Sequence, residues 1–230
     1  GPPAPPPRGA RAAAARMQRR WGEAEEDFHG QLHAVLSHPP SLRFHRARLL
    51  GYDEPLGDGF RARFSRELLV LDAGKDPGLQ RFLHFVRGCL PSPSTPHVLV
   101  IARAVAAALG GRAEDLEERL DRRLRELRLD LRWDELPLGQ LFGREAPGRS
   151  EPGVGLQRHR AVLFKYVCDT LAVCRCALVA EGGADAGPRD RVVSLAWADG
   201  RPLAVDLLQE PGRMSEAPEL RELLLHDARR

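Results

Sequence analysis

Four cysteines are the residues best suited to covalent or metal chemistry: Cys89, Cys168, Cys174 and Cys176. A thiolate is both a nucleophile and a soft metal ligand. None of the four forms a Cys-x-x-Cys pair, and Cys174 and Cys176 are too close in sequence for an easy mutual disulfide. A zinc site would need two more well-spaced ligands beside them, and the sequence places none near. The expectation is small, buried, reduced thiols, with no metal and no cofactor. His159 and Arg160 stand together at the head of an apolar stretch, and Asp206 stands inside another, among Leu203, Ala204, Val205, Leu207 and Leu208. A buried carboxylate there needs a partner. Arg160 is the candidate, with His159 bonding a loop carbonyl; a ligand-binding role for both beside an active-site-like cleft is the alternative.

The elements that would position these residues come from periodicity and caps. Residues 22–37 carry Phe28, Leu32, Val35 and Leu36 at helical spacing and stop at Pro39-Pro40. Glu67 to Asp72 has no period that separates a strand from a short helix. Asp76-Pro77 is a helix start, with Leu79, Phe82, Leu83 and Val86 on one face. A second helix starts at Thr95-Pro96 and ends at Gly110-Gly111. A third runs from about Glu114 to Leu129, with Leu116, Leu120, Leu124 and Leu127 toward the core. Six acids and six arginines lie between Arg112 and Arg128. They form i,i+4 pairs such as Asp115–Arg119, Glu118–Arg122 and Asp121–Arg125, the pattern of a solvated helix face. Residues 141–155 are a Gly/Pro/charged loop. Residues 158–171 form a helix buried on much of its surface, and Arg175 to Val179 a short strand. Val192–Trp197 and Leu203–Leu208 flank a turn and predict a hairpin. Helices followed by strands around a central buried helix give an α+β fold.

The net charge of +3 is local. Residues 1–20 carry Arg8, Arg11, Arg16, Arg19 and Arg20 and no acid, which leaves −2 for 21–230. This balance does not imply a nucleic-acid surface on the folded part; such binding would be expected of the Pro/Ala/Arg-rich tail. No apolar run is long enough for a bilayer, and no signal-peptide core precedes the domain. Hence the expectation of a cytoplasmic protein.

From residue 136 onward the order of motifs resembles a known family. The stations are Leu136-Pro137-Leu138-Gly139, Gly155, the run His159-Arg160-Ala161-Val162-Leu163-Phe164-Lys165, the strand Cys174-Arg175-Cys176-Ala177-Leu178-Val179, and Val205-Asp206-Leu207-Leu208 before Pro211-Gly212. Asp76-Pro77 and Gly110-Gly111 precede them in family order. Together they are similar to the peptidase-like domain shared by armadillo repeat-containing protein 3 and the plant Raf-like kinases of the enhanced-disease-resistance and constitutive-triple-response type. The His-Arg-Ala-x-Leu-Phe-Lys run is the specific part. The chain departs from the pattern in its long 141–155 loop, in the order of its Cys-Arg pair and in Ala180, where the family has Gly.

The resemblance implies a papain- or transglutaminase-like fold over 73–215. A tail (1–21) and a helical lead-in (22–72) precede it, and a helix or tail (216–230) follows. Such enzymes set a Cys at the start of the buried helix, a His on a neighbouring strand and an Asp or Asn on the next. By that analogy the nucleophile position is Gln157, the base position Arg191 and the orienting position Asp206. Gln cannot attack a carbonyl, Arg stays protonated, and no His occurs between His159 and His226. Cys168 lies about 15 Å along the helix, beyond the reach of its dipole. The implied protein is a non-enzymatic interaction or regulatory domain with protein or peptide partners. Absence of a kinase motif favours attachment to armadillo repeats, and that branch implies a ciliary or flagellar setting. A thiol hydrolase or transferase with a relocated Cys is the alternative.

Overall fold

The computed structural model describes residues 48–49, 55–64, 67–90, 97–111, 114–127, 135–146, 149–180, 192–198 and 201–216, all within one compact unit of residues 40–230. The expected helix at 22–37, the Arg-rich tail, the segment 217–230 and Arg191 lie outside the described residues.

The class is α+β, as the order of elements predicts. A five-stranded antiparallel sheet has the order β1 (Arg48–Leu49), β7 (Cys176–Ala180), β8 (Val192–Ala198), β9 (Arg201–Val205), β10 (Met214–Glu216). A second sheet joins β2 (Phe60–Arg63) antiparallel to β3 (Leu68–Leu71), and β3 parallel to β4 (Glu135–Pro137). The stretch at 67–72 is thus a strand. Its Leu69, Val70 and Leu71 are all buried, which is why no alternation marked it.

Helix α1 (Pro77–Cys89) begins where its cap chemistry directs. Asp76 Oδ1 accepts from the Gly78 and Leu79 N–H groups, and Leu79, Phe82, Leu83 and Val86 are buried. Each such apolar side chain contributes about 1.5–3 kcal/mol of burial. Helix α2 (His97–Ala108) ends in a Schellman turn, with Gly111 N–H on Ala106 C=O, Gly110 N–H on Ala107 C=O, and φ of 96° at Gly110. Helix α3 (Leu116–Glu126) is shorter than expected; Leu127 is its half-exposed C-cap. Of the expected i,i+4 pairs, Asp115–Arg119 has its ends 3.6 Å apart.

Helix α4 (Gln157–Thr170) is the centre of the molecule. Every residue from Arg158 to Cys168 is buried, because α4 touches β7 and β8 on one side, α2 on another, and β3 besides. Ser194 Oγ, itself buried, donates to Ala161 C=O at 3.0 Å and ties β8 to the helix.

Two expectations are corrected. The region 141–155 is not all loop: β5 (Arg144–Ala146) and β6 (Arg149–Glu151) form a small hairpin within it. The second strand of the predicted hairpin ends at Val205 rather than Leu208, because Asp206 leaves the ladder to bind its own following backbone. No helix among the described residues is long and apolar enough to cross a membrane.

Candidate functional site

Two groups of chemistry-bearing residues lie at opposite ends of α4. The first turn gathers the residues singled out in the sequence. Ser194 is the register partner of Val205 and bonds Ala161, so the start of β8 and the end of β9 lie over this turn. Gln157 is the first residue of the helix and is half-buried.

Asp206 does not pair with Arg160, contrary to expectation. Its Oδ1 accepts from Leu208 and Gln209 N–H at 2.7 and 2.9 Å, and its Oδ2 from Glu210 N–H at 3.0 Å. This is an Asx-type turn, in which a short carboxylate satisfies the amides that follow it. Arg160 is fully buried and spends its guanidinium on four carbonyls. Nε donates to Gly155 at 2.8 Å, Nη1 to Leu207 at 2.9 Å, and Nη2 to Leu109 at 3.0 Å and Gly111 at 2.6 Å. Two of these acceptors are carbonyls at the C-terminal turn of α2, which the helix itself leaves open. Burial lowers the Arg160 pKa to about 10, while the field of Asp206 opposes that fall.

His159 bonds a carboxylate rather than a loop carbonyl. Its Nδ1 accepts the Leu156 N–H at 3.0 Å, so Nε2 carries the proton and donates to Glu67 Oε1 at 2.9 Å. The ring thereby does at the third helical position what Glu or Gln does in a capping box. Arg158 grips the same carboxylate with two bonds, Nε to Oε1 at 2.6 Å and Nη2 to Oε2 at 3.0 Å. Burial alone would push the Glu67 carboxyl up; the hydrogen bonds from His159 and Arg158, with the Arg158 charge, outweigh it and hold it at about 2. Glu67 was missed in the sequence. Its only signal was an acid directly before four apolar residues.

The last turn carries a second group. Lys165 is fully buried, with Nζ 2.9 Å from Asp169 Oδ2 and donating to Cys176 C=O at 2.8 Å. Asp169 also accepts the Leu56 N–H, and Tyr166 donates its hydroxyl to Asp58. Burial, with the Asp58 bond and charge, raises the Tyr166 pKa, and the Tyr166 bond lowers that of Asp58. The three polar residues of the His-Arg-Ala-x-Leu-Phe-Lys run are thus buried struts tying α4 to β3, to the α2 terminus and to β7.

The cysteines are not scattered. Cys168, Cys174 and Cys176 have sulfurs all within 4.8 Å of one another, and the Cys174 and Cys176 sulfurs are 3.5 Å apart. Counting Cys174 and Cys176 alone had suggested that no further ligand stood near. The turn after α4 supplies one by folding the chain back onto Cys168. Hydrogen bonds from the Cys168 and Cys176 thiols hold the Cys174 thiol down at about 4, while burial raises Cys168. Cys89, at the end of α1, stands outside this group and is raised by burial.

A cleft of about 410 Å³ lies beside α3, lined among others by Arg119, Arg122, Arg123, Glu126 and Glu151. Arg123 is buried, 3.7 Å from Glu151, and its Nη1 has no hydrogen-bond partner among the described residues. Its pKa is lowered by burial and by Arg144.

No solved structure matches the chain. A probable serine/threonine-protein kinase, SIS8 of Arabidopsis thaliana, is 38% identical over 84 residues. That match takes in 36% of this chain and only 7% of the kinase. The model of the EDR1/CTR1/ARMC3 peptidase-like family matches residues 58–215, beginning ahead of β2 and taking in Glu67. With well over half of its length matched, the chain belongs to the EDR1/CTR1/ARMC3 peptidase-like family.

Proposed function

We propose that the chain is a non-catalytic peptidase-like domain that binds a protein or peptide partner, carried within an armadillo-repeat protein. The observation behind it is the use made of polar groups at the first turn of α4. Where a thiol peptidase would hold an activated Cys and an oriented base, Gln157 begins the helix, Asp206 is committed to its own turn, and Arg160 and His159 brace the scaffold. A general base needs a free lone pair within reach of the nucleophile. His159 Nδ1 is already an acceptor of the Leu156 N–H.

The cleft beside α3 supports a binding role. The Nη1 group of Arg123 is a buried donor that a carboxylate from a partner would satisfy. The test is a peptide array of acidic and neutral sequences, probed with the wild-type chain and with Arg123→Met. Retention of acidic peptides by the wild type and their loss in the variant is expected. Retention indifferent to Arg123 would remove the cleft from the proposal.

The alternative, a thiol hydrolase or transferase, has its best candidate in Cys174, whose thiol is held at about 4. Labelling by a thiol-directed electrophile, with and without a metal chelator, locates any activated cysteine by mass spectrometry. Fast labelling of Cys174 together with turnover of peptide or thioester substrates, abolished in Cys174→Ser, would establish the enzyme instead.

A further inference from the structure

The turn that follows α4 is unusual in one respect. It is a Schellman turn, with Val173 N–H on Cys168 C=O at 2.9 Å and Ala172 N–H on Asp169 C=O at 3.1 Å. Such a turn needs a left-handed residue, and glycine supplies it at the end of α2. Here the residue is Ala172, at φ 51°, the one non-glycine with positive φ among the described residues. A Cβ in that conformation is strained. The strained turn reverses the chain within a few residues and sets Cys174 and Cys176 against Cys168. Lys165, bonded to the Cys176 carbonyl, anchors the strand that carries the third sulfur.

The resulting geometry fits a tetrahedral thiolate site. Zinc–sulfur bonds of about 2.3 Å place the sulfurs of a tetrahedron roughly 3.8 Å apart. The Cys174 and Cys176 sulfurs are 3.5 Å apart and all three lie within 4.8 Å. A disulfide would use only two of the three thiols and leave the third without a role, and a bridge between positions 174 and 176 is disfavoured. A fourth donor stands near. His97, at the start of α2, acts electrostatically on Cys174, and its Nε2 is buried with no hydrogen-bond partner among the described residues. A buried imidazole nitrogen with no partner is costly unless something occupies it. His97 lies outside the 4.8 Å group, so a role as fourth ligand requires its ring to move toward the sulfurs.

We propose that Cys168, Cys174 and Cys176, with His97 as fourth ligand, form a structural zinc site that pins the end of α4 to the start of β7 and to α2. Three protein thiolates and an imidazole close the coordination shell, the arrangement of structural rather than catalytic zinc. Thiolate softness selects zinc over magnesium or calcium.

The chain, purified without chelator, is expected to carry one zinc per molecule by elemental mass spectrometry. After zinc removal, Co²⁺ should give the intense ligand-field and sulfur-to-metal charge-transfer bands of tetrahedral thiolate coordination. Cys174→Ser should lower zinc affinity by at least tenfold, His97→Ala should weaken it and shift the cobalt bands, and Cys89→Ser should leave both unchanged. The cobalt spectrum of the wild-type chain decides even where a variant fails to fold. A folded wild-type chain without zinc, whose Co²⁺ spectrum is the pale one of octahedral oxygen ligation, would overturn the site. Loss of zinc in Cys89→Ser would overturn the assignment of these ligands. Neither result depends on whether the cleft beside α3 binds a peptide.

Discussion

Nε2 of His159 stands 2.9 Å from Oε1 of Glu67 and joins the first turn of α4 to the residue that leads into β3. Arg158 holds the same carboxylate from a second side. Glu67→Ala removes a buried acceptor facing two buried donors and should cost about 3 kcal/mol or more in urea unfolding.

The same carboxylate sets an acid limb to stability. Its pKa falls from an ordinary value of 4.5 to about 2 on folding. The folded state therefore binds the proton less readily than the unfolded chain. The stabilisation is fully present above about pH 4.5 and is lost as pH falls through 2, an effect of order 3 kcal/mol. Denaturant titrations between these limits should show a steeper slope in the wild type than in Glu67→Gln.

Arg160 and Asp206 are neighbours that serve different backbones. Arg160→Ala opens four buried carbonyls and should cost about 3 kcal/mol or more. Asp206→Ala removes a turn cap at a cost of about 1 kcal/mol. Exchanging the two charges should recover neither loss in thermal unfolding; recovery would show a direct ion pair.

Gly139 presses against Asp76. Its N–H donates to Asp76 Oδ2 at 2.7 Å, and a Cβ on it would land on the carboxylate that caps α1. Gly139→Ala should cost about 2 kcal/mol. Combined with Asp76→Ala the loss should be less than the sum, because the second change removes what the methyl strikes. Chemical denaturation of the four variants of the cycle measures the difference.

Arg123 is the position at which the proposed peptide binding can be told apart from stability. Its Nη1 is buried with no hydrogen-bond partner among the described residues. Arg123→Met should leave the unfolding midpoint unchanged or raise it by up to about 1 kcal/mol equivalent, while acidic-peptide binding falls. A destabilised variant would make Arg123 part of the scaffold instead.

The sequence by itself determined the elements whose signals are local. Asp76-Pro77 started α1 because a carboxylate and a proline suit the first turn wherever it occurs. Gly110-Gly111 ended α2 because a left-handed residue closes a helix. The apolar 158–171 run marked a buried helix, and the turn at 198–202 between two apolar stretches a hairpin. The short hairpin at 144–151 escaped notice because its polar residues have no period to read, and β3 stayed undecided between strand and helix because it is buried on both faces. Only the tertiary structure decided what the buried polar groups bind. Glu67 meets residues more than ninety positions away, and Arg160 reaches carbonyls about fifty positions away on either side. The three thiols meet through a left-handed Ala172 that no glycine announced. Caps and periods are written in adjacent residues; the partner of a buried charge is whichever distant group packing delivers, and no local spacing encodes it.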